Sequence, residues 1–89
     1  LYNTTINSPT AMTGHVLGAA GAVEAMSTSL SIQQGIVPPT INHFTDDENI
    51  DPKINFTFNK AQERNVNVAM SNTFGFGGHN ACVVMRKFI

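Results

Sequence analysis

Two short runs of this chain hold the residues that are best suited to chemistry. The first is Met12–Gly21, with the sequence MTGHVLGAAG, in which His15 precedes a stretch of small and apolar residues. The second is Asn72–Asn80, with the sequence NTFGFGGHN, in which Phe74 and Phe76 alternate with glycines. The side-chain N–H of a histidine, as in the first run, and backbone N–H groups, as in the glycine-rich second run, can both point at an oxygen that gains negative charge. The two runs together indicate a site that stabilises such an oxygen.

His15 is predicted to lie at the N-terminal end of a helix from Val16 to Gln34, with the Thr13 hydroxyl as its cap. A helix dipole disfavours positive charge at that end, so we expect a neutral imidazole with one N–H free to donate. A neutral histidine in this position can polarise a carbonyl. A lone histidine can also simply cap and pack, and it is the surrounding motif that favours the functional interpretation.

The loop Phe74–Gly78 is the second candidate element. Gly75, Gly77 and Gly78 allow backbone conformations and close approaches that a side chain would block. The loop's N–H groups could face an oxyanion while the two phenylalanine rings exclude water. A tight hairpin turn with aromatic packing explains the same residues, so the loop alone leaves both interpretations open.

The elements that must position these residues follow from the turn and breaker residues between them. Gly35 and Pro38-Pro39 end the predicted helix, and the face with Gly18, Ala22 and Ala25 predicts that it is central and buried. In chain order, the predicted elements are a strand Tyr2–Asn7, the helix Val16–Gln34, an extended segment Ile36–Asn42, a solvated loop His43–Asn65 with a short strand Ile54–Phe58, and a β-hairpin of Val66–Ser71 and Ala81–Phe88.

Charge is scarce and unevenly distributed along the 89 residues. Only 12% of the residues are charged, against about 25% in ordinary globular proteins. Glu24 is the one charged side chain from position 1 to position 42. A small chain cannot hide such a half inside itself, so we expect it to be buried against protein outside this chain. The net charge of −1 and the lack of a basic patch predict no nucleic-acid partner and no anionic membrane surface.

Cysteine and acidic residues give little support to other chemistry. Cys82, the only cysteine, is in the apolar run Ala81–Val84, away from any cation, so we predict a buried structural residue rather than a nucleophile. Asp47, Asn49 and Asp51 are spaced as in a calcium loop, but a proline follows where that loop needs glycine. We therefore predict no metal. The single cysteine and the absence of a signal-peptide pattern predict a cytoplasmic protein.

The two runs, together with Val37–Asn42 (VPPTIN) between them, resemble the β-ketoacyl-acyl carrier protein synthases, most closely the elongating type of bacterial fatty acid synthesis. The resemblance implies an α/β, thiolase-like fold, of which residues 1–89 would be the C-terminal part, usually in a homodimer. It also implies decarboxylative Claisen condensation of an acyl-enzyme thioester with malonyl-acyl carrier protein. The carrier protein would then be the partner, and no cofactor is implied.

The resemblance also implies roles for individual residues. His15 matches the second of two histidines that bind the malonyl thioester carbonyl and promote decarboxylation. The first histidine and the acyl-accepting cysteine would lie upstream of Leu1, so the isolated chain is expected to be inactive. Phe76 matches the gating phenylalanine whose backbone N–H contributes to the oxyanion hole. Phe74 and the loop glycines match the mobile loop around it.

One position departs from the family pattern. Members usually carry a lysine five residues before the histidine, where this chain has Thr10. Glu24 matches a glutamate that belongs to the polar network of that lysine. A buried carboxylate without a cation is costly. Glu24 is therefore expected to be protonated, to pair with a group outside this chain, or to mark a divergent member with altered activity.

Two alternatives keep the fold and change the function. A non-catalytic partner subunit, resembling the chain-length factors of polyketide systems, would tolerate the loss of the lysine at Thr10. A synthase domain of a polyketide megasynthase is the other alternative. Retention of His15 and of the loop argues for catalysis. His43 and His79 are both predicted to have structural roles.

Overall fold

A computed structural model describes residues 3–88 of the chain. The predicted strand Tyr2–Asn7 lies partly outside the described residues. Within them, Thr5 pairs with Asn55 only through an isolated parallel bridge. The observed elements are α1 (Thr10–Thr13), a 3-10 helix (Leu17–Ala19), α2 (Ala20–Gln34), β1 (Ile36–Val37), β2 (Gln62–Glu63), β3 (Val68–Phe74) and β4 (Asn80–Arg86).

The main helix begins later than predicted. α2 starts at Ala20, and the predicted start at Val16 is wrong because Leu17–Ala19 form a 3-10 helix and the backbone before them is not α-helical. Gly14 has φ of +74° and Leu17 has φ of +54°, whereas an α-helix needs a φ of about −63°. Thr13 belongs to α1, where its hydroxyl donates to the Gly14 carbonyl and caps no helix. The predicted end is confirmed, since left-handed Gly35 donates its N–H to the Ser31 carbonyl at 2.9 Å, as helix C-termini commonly do.

Within residues 3–88, α2 is not buried as a whole, so its predicted burial would require protein outside this chain. Its only buried residues are Ser31 and Ile32, while Met26 is 60% exposed. β3 and β4 cover one side of the helix and β1 contacts its C-terminal part, so the remaining side is open within residues 3–88. Gly21 lies against β3: a Cβ built there would be 3.4 Å from Thr73 Cγ2. Gly18 has no such neighbour among the described residues.

The C-terminal β-hairpin is confirmed, with its strands shifted from the predicted bounds. β3 and β4 pair antiparallel from Val68 opposite Arg86 to Phe74 opposite Asn80. Alternate residues of β3 are half-buried, and Val68, Met70 and Phe74 between them are exposed. Because successive side chains of a strand point to opposite faces, this alternation shows that only one face of the hairpin is covered in the described chain.

The segment between β1 and β3 is held by backbone and polar side-chain hydrogen bonds rather than by a large core. β1 pairs antiparallel with β2, which was not predicted, and Thr40 pairs with Phe58 through an isolated parallel bridge. The predicted strand Ile54–Phe58 is absent apart from such single bridges. The buried hydrophobic residues of the described chain are Ile32 and Val37. None of the helices within residues 3–88 has the length and apolar character that crossing a membrane requires.

Candidate functional site

The glycine loop is a tight turn at the end of the hairpin. Gly75 donates its N–H to the His79 carbonyl at 2.6 Å, and Gly78 donates to the Gly75 carbonyl at 3.2 Å. The second bond closes a four-residue turn in which Gly77 has φ of +82°, at the position that a type II turn reserves for glycine. Gly78 also has positive φ, +83°. The turn therefore needs glycine at both positions for backbone reasons.

The turn leaves Phe76 at its tip. The Phe76 side chain is 100% exposed and that of Phe74 is 81% exposed, so the two rings enclose no apolar channel within residues 3–88. The backbone N–H of Phe76 forms no hydrogen bond to any described residue. An N–H group in that state is available to an external acceptor. The loop thus offers a free donor at its tip, and any enclosure would have to come from another surface.

His15 lies in a short connection between α1 and the 3-10 helix, and not at the start of a helix as predicted. It is exposed, and within the described part of the chain its imidazole forms no hydrogen bond or ion pair. Five positions separate it from Ala20, where α2 begins. Helix-dipole effects fall off within the first turn. The position of His15 therefore gives no support to the predicted effect of the α2 dipole on it.

The packing of α2 on β3 brings one residue of each candidate run together. Gly21, in the first turn of α2, contacts Thr73, the penultimate residue of β3. His15 precedes that contact by six residues on one chain segment, and Phe76 follows it by three on the other. No hydrogen bond or ring contact joins His15 to Phe76 within residues 3–88. The structure therefore brings the two runs together at Gly21 and Thr73, without a direct interaction between His15 and Phe76.

Thr10 and Glu24 do not form a network in the described structure. Thr10 is the first residue of α1, and its hydroxyl lies 3.0 Å from the Ser8 hydroxyl. α1 packs against no other helix or strand among the described residues. Glu24 is half-buried on α2, and no described residue pairs with its carboxylate. Its carbonyl accepts the Thr28 hydroxyl at 2.8 Å.

The prediction for His43 agrees with the structure, whereas the burial predicted for Cys82 is not seen within residues 3–88. Cys82 is exposed in this chain rather than buried, because the residues described here leave one face of the hairpin uncovered. His43 stacks on Phe58, with ring centroids 3.6 Å apart, and its Nε2 lies 2.7 Å from an Asp46 carboxylate oxygen. These contacts give His43 the structural role that was predicted. Within residues 3–88 no group of three His, Cys, Asp or Glu side chains could hold a metal ion.

A groove of about 330 Å³ lies between α2 and the segment that contains β1. Its lining is mostly apolar and includes Val23, Leu30 and Ile36. It carries none of the predicted site residues, so it adds nothing to the candidate site.

Sequence reasoning missed the polar contacts that hold the segment before His15. Thr40 accepts the N–H of Ser8 at 2.8 Å, and Thr57, which is fully buried, donates to the Ile6 carbonyl at 3.0 Å. Thr40 belongs to the VPPTIN run, which the sequence identifies as a motif without indicating its role. The two contacts join positions that are 32 and 51 residues apart along the chain, so no local pattern could have revealed them.

The comparisons with known proteins agree with these motifs. The family described as "Beta-ketoacyl synthase, C-terminal domain" matches residues 2–44. The 3-oxoacyl-[acyl-carrier-protein] synthase 2 of Rhizobium meliloti is 48% identical over 75 residues, which are 84% of this chain and 17% of that protein. The synthase 2 of Synechocystis is 44% identical over 89 residues, and the chloroplastic synthase I of Hordeum vulgare is 49% identical over 85 residues. These matches cover 98% and 93% of this chain, and 20% and 18% of those proteins.

Solved structures give the same assignment at the level of the fold. A chain of a type II PKS ketosynthase, solved in complex with its acyl-carrier protein and bound to the hexaketide, superposes with a TM-score of 0.87 at 34% identity. A chain of the ishigamide ketosynthase/chain length factor superposes with a TM-score of 0.86 at 32% identity. The matches cover 96% and 94% of this chain and 20% of each of those chains.

The fold of the chain is that of part of a ketosynthase. The chain belongs to the β-ketoacyl-acyl carrier protein synthase family, and the resemblance noted in its sequence is thereby confirmed. It spans about a fifth of the length of the curated relatives that it matches. Those relatives include proteins named chloroplastic and mitochondrial, so the cytoplasmic location stays a prediction.

Proposed function

We propose that the protein containing this chain is an elongating β-ketoacyl-acyl carrier protein synthase of fatty acid synthesis. Residues 1–89 would be the C-terminal part of its synthase domain, and the protein would act as a homodimer. The observation that carries the proposal is the packing of Gly21 against Thr73, because Gly21 belongs to the run that contains His15 and Thr73 to the run that contains Phe76. The same two segments carry the motifs shared with the synthases.

The reaction would join an acyl group held as an enzyme thioester to malonyl-acyl carrier protein. Loss of the malonyl carboxylate as CO₂ leaves an enolate, whose carbon attacks the acyl carbonyl. The carbon–sulfur bond to the enzyme then breaks, the thiolate leaves, and the β-ketoacyl group remains on the carrier protein. No external oxidant, metal or cofactor enters this balance.

His15 would donate a hydrogen bond to the malonyl thioester oxygen as it becomes an enolate oxygen. Fixed donors are effective at such an oxygen because they need no reorganisation when the charge develops. The exposed imidazole, which has no partner among residues 3–88, is free to take this role.

The Phe76 loop would serve the other carbonyl of the reaction. The free N–H of Phe76 would contribute to the oxyanion hole of the acyl thioester, together with the N–H of the nucleophile. The Phe76 ring, at the tip of the turn, would move over the acyl group and exclude water, which would otherwise protonate the carbanion. Phe74 and the glycines Gly75, Gly77 and Gly78 would set the geometry of that movement.

A non-catalytic, chain-length-factor-like subunit is the second candidate. Two observations favour it: one of the similar structures is named a ketosynthase/chain length factor, and Thr10 replaces the family lysine. In that role the fold would shape a pocket shared with a catalytic partner, and Glu24 would be paired outside this chain. Retention of both motifs keeps the condensing enzyme as the first proposal.

The test is condensation by the full-length protein from acyl and malonyl carrier protein, with His15→Ala as the critical variant. We expect β-ketoacyl product from the unmodified protein and a loss of about 100-fold or more in His15→Ala, the size of loss seen when one oxyanion donor is removed. His43→Gln is the matched control, because His43 contacts Phe58 and Asp46 and no part of the candidate site. Absence of product from the unmodified protein would favour the partner-subunit role.

A second measurement concerns the isolated 89-residue chain. We expect no condensation from it, since the nucleophile and the first histidine of the family pattern are not among its residues. Product formed by the purified chain alone would refute this proposal about where the nucleophile lies.

A further inference from the structure

The hydroxyl of Thr40 connects the segment before His15 to the rest of the fold. We propose that Thr40 is a positioning residue for His15, an inference that rests on the proposed catalytic role of that histidine. Thr40 does not contact the imidazole. It fixes the backbone of Ser8, from which the chain runs through a single helical turn directly to His15.

All the polar groups of Thr40 are engaged. Its hydroxyl accepts the Ser8 N–H at 2.8 Å and donates to the Phe56 carbonyl at 3.0 Å. Its backbone N–H donates to the Thr57 carbonyl at 2.7 Å, and its carbonyl accepts the Asn59 N–H at 2.7 Å. A hydroxyl that is held at both its donor and its acceptor side has one orientation. Thr40 is therefore a fixed point to which Ser8 is attached.

The path from Ser8 to His15 is short and conformationally defined. The Ser8 carbonyl accepts the N–H of Ala11 at 3.1 Å, which begins the turn of α1. Pro9 has a φ that is fixed by its ring, and the Gly14 N–H closes the turn on the Thr10 carbonyl at 2.8 Å. With few free dihedrals between them, a displacement at Ser8 is carried to His15.

Few contacts support this turn in the described structure: Pro9, Thr10 and Ala11 are half-buried, and the Asn7 side chain, just upstream, donates to the Pro38 carbonyl at 3.0 Å. α1 packs against no other helix or strand among residues 3–88, and none of its residues is buried. No other helix or strand of the described chain fixes its position, which gives more weight to the contacts at its two ends. At the upstream end, the hydrogen bond between Ser8 and Thr40 is the last tie to the scaffold before His15.

Thr57 offers a matched control in the same scaffold. Its hydroxyl also joins the N-terminal segment, but at Ile6, where it donates to the carbonyl at 3.0 Å. Ile6 keeps a second tie through its own N–H, which donates to the Asn55 carbonyl at 2.8 Å. Thr57 is fully buried and Thr40 is half-buried, so the loss of the Thr57 hydroxyl should destabilise the fold at least as much.

The experiment compares Thr40→Val, Thr40→Ser and Thr57→Val in the full-length protein. Amide hydrogen exchange of residues 9–19 reads the anchoring of α1, and the kinetic assays read its consequence for His15. We expect Thr40→Val to speed exchange of the Ala11 to Gly14 amides about tenfold, the size of effect of one net hydrogen bond. Thr40→Ser should restore the slow exchange, and Thr57→Val should leave it unchanged.

The kinetic signature distinguishes positioning from general destabilisation. We expect Thr40→Val to lower malonyl decarboxylation and kcat about tenfold, with the rate of enzyme acylation unchanged, because His15 would act only on the malonyl thioester. Equal losses in acylation and decarboxylation, or equal effects of Thr40→Val and Thr57→Val, would overturn the proposal. If the unmodified protein formed no product, the proposed function would fail, and the exchange data would still decide whether Thr40 anchors α1.

Discussion

Gly14→Ala should disturb the candidate site more than any change of comparable size, because of the backbone conformation that precedes His15. Gly14 has φ of 74° and ψ of 169°, in a region that is essentially restricted to glycine. A Cβ built on Gly14 meets no atom of residues 3–88 within 4 Å. The expected cost is therefore purely conformational, about 1–3 kcal/mol for a residue held in such a region.

Gly18→Ala is the matched control. Gly18 is four residues further along, its Cβ position is equally open, and it has no positive φ. The same substitution there reduces the freedom of the unfolded chain and should be neutral or stabilising by about 0.4–1 kcal/mol. Because the two sites differ mainly in backbone conformation, comparing the variants isolates the free-energy cost of placing alanine at the φ of Gly14.

The consequence for activity follows from the same energy. If the observed backbone is the competent one, a cost of about 1–3 kcal/mol lowers its population about 5- to 150-fold, since each step of about 1.4 kcal/mol is tenfold. We expect kcat/KM for condensation to fall within that range in Gly14→Ala and to stay within about twofold in Gly18→Ala. Stability is followed in parallel by chemical unfolding of the full-length variants.

Two results would refute this reasoning. Equal effects of the two alanine variants would show that the backbone at Gly14 does not set the geometry of the site. A loss of kcat/KM in Gly14→Ala accompanied by unfolding of the whole protein, at a temperature where Gly18→Ala remains folded, would show a global rather than a local effect.

Three further predictions concern the remaining candidate residues. Gly35→Ala should destabilise the protein by about 1–3 kcal/mol, measured by chemical unfolding, because Gly35 has φ of +69° and the new Cβ would lie 3.0 Å from the Arg64 carbonyl oxygen. Phe76→Ala should change stability by about 0.5 kcal/mol or less, since the ring is fully exposed in the described chain, yet should reduce condensation. Phe88→Ala, 98% exposed, is its control and should leave product formation unchanged. Thr10→Lys should increase condensation by restoring the family's cation, and Glu24→Gln should abolish that increase in a double-mutant cycle; an increase that survives the second change would contradict the pairing.

The hairpin and its turn were accessible from sequence because their signals are local. Alternating and apolar strand residues flank a glycine cluster, and the observed turn uses Gly77 and Gly78 at positive φ, as such turns require. The end of α2 at Gly35 was predictable for the same reason. The start of the helix was not, because Leu17 adopts φ of +54° although its neighbours are compatible with a helix. Leu17 is 78% exposed, and no contact within residues 3–88 explains its conformation.

The polar scaffold of the candidate site was beyond sequence reasoning because its contacts are long-range. Thr57 lies in the loop that the sequence predicts to be solvated. Its side chain is nevertheless the most deeply buried one described, and its φ is +56°. Within residues 3–88, α2 and Cys82 are more exposed than their apolar surroundings in the sequence suggest, for a different reason. Apolar composition predicts that a surface is buried, but it does not identify the partner surface. Residues 3–88 leave one side of α2 and the hairpin face with Cys82 uncovered. The expectation that protein outside this chain covers these faces stays a prediction.

The two halves of the candidate site are held by different physical means, and this makes their roles separable. The segment before His15 is held by hydrogen bonds to the Thr40 hydroxyl. The position of His15 should therefore respond to removal of that hydroxyl. Phe76 is presented by a turn whose shape depends on backbone conformation at Gly77 and Gly78, so its position should respond to an added Cβ and not to a lost hydrogen-bonding side chain. If both segments serve one reaction, each kind of change should slow a different step: hydroxyl removal should slow decarboxylation, and stiffening of the turn should slow acyl entry. A single step affected by both would argue that the two segments move together.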